Sequence, residues 1–103
     1  MKSYLLRSVV LAAVFAVAAS ADGQAVYAAK CQGCHGPNGE GKEAIAKMFK
    51  VTMQHLGSKE IQAKSDADFK KVITNGQGKM KAVTGVSDAD LTAVIAHVRT
   101  LKK

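Results

Sequence analysis

The chain has 103 residues, with 15 basic against 8 acidic side chains, two cysteines, one proline and no tryptophan. That length suits one small domain. The formal charge of +7 comes without interleaved aromatics, which leaves no case for a nucleic-acid partner, and a structural zinc site would need a second cysteine pair.

The first segment reads as an export signal. Lys2 and Arg7 give a positive start, "SVVLAAVFAVAASA" is an uncharged and mostly apolar run, and Ala19-Ser20-Ala21 offers the small residues of a cleavage site before Asp22. The run is shorter than the roughly 20 residues that cross a bilayer, so residues 1–21 are expected to be removed and no stable membrane insertion to follow. Residues 22–103 then form the mature domain, in the periplasm. Without Lys2 and Arg7 it carries 13 basic and 8 acidic residues, a net of +5, and only three aromatics, Tyr27, Phe49 and Phe69. So short a chain struggles to bury enough apolar surface unaided. It needs a disulfide, a metal or a cofactor.

Asp22 is placed to cap a first helix running to about Cys31. The only cysteines then fall in "CQGCH", with His35 beside Cys34. A disulfide across two intervening residues closes so small a loop that it stabilises little. A thiol–disulfide oxidoreductase uses the same spacing inside a strand–helix–strand unit, and no strand pattern is visible. Cys-x-x-Cys-His is the signature of covalent c-type haem attachment: two thiols one turn apart bind one haem, and the adjacent imidazole reaches the iron.

"GPNGEG" after His35 reads as a loop. In "EAIAKMFKVTMQHL" the residues Ile45, Met48, Phe49, Met53 and Leu56 recur at helical steps, predicting a second helix although Val51 and Thr52 are poor helix formers. "SDADF" at Ser65 and "SDADL" at Ser87 each offer a serine cap with acids in the first turn. The first opens a helix through Phe69, Val72 and Ile73 that stops at Asn75-Gly76. The second opens a final helix through Leu91, Val94, Ile95, Val98 and Leu101. The fold class is therefore all-α, three to five short helices joined by loops. One residue fits no apolar stripe: Met80, in "NGQGKMKAV", sits among glycines and lysines.

With these residues in view, the chain resembles the class I c-type cytochromes, small electron carriers with a single haem. The resemblance covers residues 22–103 and rests on "CQGCH", "NGQGKM" and the last helix, "DLTAVIAHVRTL". Gly23 and Tyr27 match the small and aromatic positions where the family's first helix crosses its last. It implies a small cytochrome c fold wrapped around one haem c, with Cys31 and Cys34 as thioether attachments, His35 as the proximal iron ligand and Met80 as the distal one. A thioether in the sixth position raises the potential relative to a second histidine, and a glycine-rich loop is the setting in which such a ligand approaches the ring. Met53 and His55 are the competing candidates for that position, while Met48 reads as a core residue.

The chain departs from the family pattern at three places. Lys81 follows the methionine where relatives often have proline. Pro37 comes too early to supply the carbonyl that orients the proximal histidine, although some partner for its second nitrogen is expected. His97 takes the usual aromatic position of the last helix, where it should pack against Gly23 and Tyr27.

These readings predict a soluble monomeric carrier cycling ferric and ferrous iron, with no enzymatic activity. Its partners would be redox proteins (an oxidase, reductase or dehydrogenase) with an acidic docking face, met by Lys30, Lys42, Lys79 and Lys81 if these ring the haem edge. The rival readings are a haem sensor whose sixth site opens to ligand, and a haem-free thiol oxidoreductase.

Overall fold

Asp22 caps the first helix. In the computed structural model, which describes residues 22–103, its carboxylate accepts from the amides of Gln24 (3.0 Å) and Ala25 (3.3 Å) and so satisfies two of the orphan donors of α1, Gly23–Lys30. The expected signal segment, residues 1–21, lies outside the described residues. After α1 come α2 (Gln32–His35), α3 (Glu43–Phe49), α4 (Lys59–Gln62), α5 (Asp66–Asn75) and α6 (Asp88–Thr100). The described residues hold no strand, only one isolated antiparallel pair, Gln77 with Met80. The fold is all-α as the sequence predicts; α2 and α4 add single turns of four residues to the four longer helices.

The serine motifs act as local start signals. Ser65 Oγ accepts from the Asp68 amide at 3.1 Å while Asp68 accepts from the Ser65 amide at 3.3 Å. Ser87 and Asp90 repeat the same two bonds at the same lengths. Each is a reciprocal capping box. Behind its cap, α6 buries Leu91, Val94, Ile95 and Val98 against Tyr27 and Ile73. Each such side chain contributes about 1.5–3 kcal/mol on leaving water.

α1 crosses α6 at Gly23, where a Cβ would collide with the Ala93 carbonyl and lie 3.1 Å from His97 Cβ. One turn on, Tyr27 is 1% exposed, and its ring meets that of His97 at 5.1 Å between centroids, tilted by 50°. His97 thus fills the expected structural position at the crossing.

A second set of contacts fastens the α4–α5 link to α6. Arg99 donates to the carbonyls of Gln62 (2.7 Å) and Lys64 (2.6 Å) and to the Asp66 carboxylate (2.8 Å), and lies 4.5 Å from the centre of the Phe69 ring. The Gln62 amide donates to Leu56 O at 2.9 Å and Val98 O at 3.0 Å. Beyond it the last residues dock on Gly57, whose carbonyl accepts from the Lys103 amide at 3.0 Å.

α3 is shorter than its apolar periodicity predicts. It ends at Phe49, and Lys50 follows in the left-handed region with φ 55° and ψ 47°. The β-branched pair Val51-Thr52 then continues without helix, and the Leu56 amide pairs with Gly39 O at 2.8 Å. Met53 and Leu56 therefore leave the face they were expected to share with Ile45 and Met48. A side chain in the left-handed region costs roughly 1–2 kcal/mol, which glycine avoids at some loss of unfolded-state entropy. Lys50→Gly should accordingly raise stability by about 0.5–1 kcal/mol, read as a higher denaturant midpoint at unchanged slope.

Candidate haem site

The turn carrying Cys31, Cys34 and His35 is built directly onto the end of α1. The Cys31 amide donates to Tyr27 O at 2.8 Å, and Cys31 O accepts from the amides of Cys34 (3.2 Å) and His35 (3.0 Å). Cys31 is half-buried and packs on the core, Cys34 is exposed, and both thiols are free. One cysteine is thus anchored and the other open. Burial pushes the Cys31 thiol up, opposite to the low-pKa thiolate that redox cysteines use.

His35 is half-buried, and desolvation lowers its pKa. That favours the neutral imidazole, the form that ligates metals. Its Nδ1 is the one buried side-chain nitrogen or oxygen without a hydrogen-bond partner among the described residues. The partner expected for it is not supplied by any residue around it. Backbone bonds hold the residue instead: His35 O accepts from the Gly41 amide at 2.7 Å, and Cys34 O from the Lys42 amide at 3.1 Å. The loop makes this return because Gly36, Gly39 and Gly41 all have φ near +77°, a conformation open to glycine.

Met80 lies in the loop between α5 and α6. Its amide donates to Gln77 O and its carbonyl accepts from the Gln77 amide, both at 2.9 Å, closing a two-residue turn through Gly78. Gly76 has φ 77°, and a Cβ there would stand 2.7 Å from Met80 O and 2.8 Å from the Ala82 amide nitrogen. The far side is tied by the Val83 amide to Ile73 O at 2.8 Å, and Val83 and Val86 pack on the core. These bonds give the loop a support independent of the proline that Lys81 replaces. Lys30, next to Cys31, reaches this segment: its Nζ is 3.5 Å from the Cβ position of Gly85. The cysteine turn and the end of the Met80 loop are thereby neighbours.

Met53 and His55, the competing candidates, have contacts of their own. Met53 packs on Gly41, where a Cβ would lie 3.1 Å from its own Cβ, and Gly41 is the residue bonded to the His35 carbonyl. His55 Nδ1 accepts from the Gly57 amide at 2.8 Å, beside the chain's end. Met48, expected in the core, is 65% exposed.

Does this arrangement fit a haem? The buried apolar residues sit on α1, α5 and α6, while α2, α3 and α4 bury none. The helix pairs that pack closely are α1 with α6, α1 with α2, and α5 with α6. The apolar residues of the α3 segment are left in the open: besides Met48, Phe49 is 37% and Val51 38% exposed. Exposed apolar groups of this kind can mark a ligand or partner contact. An apolar wall, two free thiols on one turn, and a neutral imidazole suit an iron porphyrin. Glycine geometry and α3 exposure are parts of this site that motif reading missed; only the glycine spacing offered a signal.

Comparison with known proteins points the same way. A comparison with curated proteins gave no match. Among solved structures, "KustC0563 c-type cytochrome" superposes with a TM-score of 0.68 at 25% identity, covering 80% of this chain and 99% of that one. The sequence profile described as cytochrome C oxidase, cbb3-type, subunit III matches residues 18–98, a span that takes in the cysteine turn, the Met80 loop and nearly all of α6. The chain therefore belongs to this cytochrome family and is a small c-type cytochrome, a haem-based electron-transfer protein with covalently bound haem c.

Proposed function

We propose that the protein is an exported, soluble one-electron carrier, with residues 1–21 as a cleaved signal and residues 22–103 as the periplasmic domain. Its haem is held by Cys31 and Cys34, with His35 as proximal and Met80 as distal ligand. The observation that carries this reading is the single turn presenting two thiols beside a half-buried imidazole. No helix of the described residues is long and apolar enough to cross a membrane. When bound, the haem supplies reversible one-electron exchange between ferric and ferrous iron.

The chain's own residues do the rest. Cys31 ties the attachment point to the core, and the Gly41–His35 and Lys42–Cys34 backbone bonds hold the proximal side. The paired Gln77–Met80 turn would present the thioether from a loop tied at its far end by the Val83–Ile73 backbone bond. His35 and Met80 would hold the iron between them and so keep small ligands off it, and the apolar residues of the α3 segment would limit water around the group. Exchange between the two oxidation states then needs little rearrangement, and ligand type and burial set the potential. Lys30, Lys79 and Lys81 border the Met80 loop and Lys42 borders the proximal loop, a placement that steers the carrier to acidic faces of redox partners at a rate falling with salt. The thiol-oxidoreductase reading loses support from the match to a c-type cytochrome family.

An optical spectrum of the protein, matured in cells competent for haem attachment, tests the proposal. Low-spin c-type bands, a weak long-wavelength band of the oxidised state from sulfur–iron bonding, and no carbon monoxide uptake are expected. Rapid carbon monoxide binding would make the protein a ligand sensor instead.

A further inference from the structure

The mechanism above gives Tyr27 only a packing role, which phenylalanine would fill equally well. Its hydroxyl has no such explanation. That hydroxyl is buried, and it donates to Gly36 O at 2.6 Å across nine residues. Gly36 follows His35 directly, and its carbonyl also accepts from the Gly39 amide at 3.3 Å. One carbonyl thus joins the α1–α6 crossing to the loop whose next residues, Gly41 and Lys42, bond the carbonyls of His35 and Cys34. Gly36 has φ 79°, and the Glu40 carboxylate beside it accepts from the Asn38 amide at 2.7 Å.

We infer that Tyr27 is a positioning residue for electron transfer: through Gly36 its hydroxyl fixes the loop 36–42 and with it the seat of His35. The inference rests on the reading of His35 as an iron ligand. The ring itself packs against His97 at 5.1 Å between centroids, which restrains the donor. A hydroxyl taken from water into this crossing is costly unless bonded, and the bond it makes is to the loop beside the candidate ligand rather than to a neighbour within its own helix.

Tyr27→Phe in the haem-loaded protein is the test, because it removes one oxygen and keeps the ring. Amide hydrogen exchange at Gly39, Gly41 and Lys42 should accelerate about five- to tenfold, the factor set by losing one ordinary hydrogen bond, while amides within α5 and α6 hold their rates. The paramagnetically shifted nuclear resonances of His35 in the ferric protein should move as well. Uniform acceleration through every helix would make Tyr27 a structural residue only, and unchanged loop rates would also overturn the inference. The wild-type spectrum is read separately. If it shows His/Met ligation and the exchange pattern is uniform, the Tyr27 role falls while the carrier stands; if the sulfur–iron band is missing, the Met80 ligation falls whatever the exchange shows.

Discussion

Replacing Cys31 and Cys34 together by serine should leave the mature chain largely unfolded, with its far-ultraviolet helix signal reduced by more than half. The buried apolar core among the described residues consists of Tyr27, Ile73, Leu91, Val94, Ile95 and Val98, all of them on α1, α5 and α6. The stretch from α2 to α4 buries only glycines, Gly36, Gly39 and Gly57, and glycine ordering costs backbone entropy without contributing side-chain burial. Helices of four to seven residues such as α2, α3 and α4 do not persist alone in water. A covalently held haem offers these segments the apolar surface they lack, in the way structural metals make small domains fold. Residual helix in the variant should come from α5 and α6, whose capping boxes are local. A cooperative transition with native-like helicity in the serine variant would show that the polypeptide folds without its cofactor.

The parts of this architecture that were legible in the sequence are those whose cause is local. "SDAD" at Ser65 and Ser87 specifies a cap within four residues, and both caps form as read. The stripe Leu91, Val94, Ile95, Val98 follows from helical period, and the Gly23–Tyr27–His97 crossing from the positions that the family resemblance marks. Where the determinant is distant, the pattern misleads. Ile45 to Leu56 keeps helical spacing throughout, yet the chain turns at Lys50 because Leu56 is taken by Gly39, a contact with no local signature. The Gln62 and Arg99 contacts bridge more than 30 residues and were invisible for the same reason. In the site itself, the motif names Cys31, Cys34 and His35. It says nothing of the buried Nδ1 without a partner or of the hydroxyl that pins Gly36. Those depend on which carbonyls the folded loop happens to turn inward.

Met80→Ala should lower the reduction potential by roughly 0.2 V, a fraction of the ~0.8 V range over which axial ligands tune haem. The substitution is a clean test because the loop does not depend on the side chain. The Gln77–Met80 pair uses backbone atoms on both residues, Gly76 keeps its left-handed turn, and Val83 stays bonded to Ile73 O, so alanine should leave the loop in place while withdrawing the sulfur. The long-wavelength band of the oxidised state should vanish, and added imidazole or carbon monoxide should bind where the native protein excludes them. The alternatives predict different results. With Met53 as ligand, Met80→Ala would leave both potential and band intact. With His55 as ligand, the native protein would show no sulfur band, and its Nδ1 would still be held by the Gly57 amide. A redox titration of the variant beside its oxidised spectrum therefore separates all three, and only the Met80 assignment requires both the potential and the band to change together.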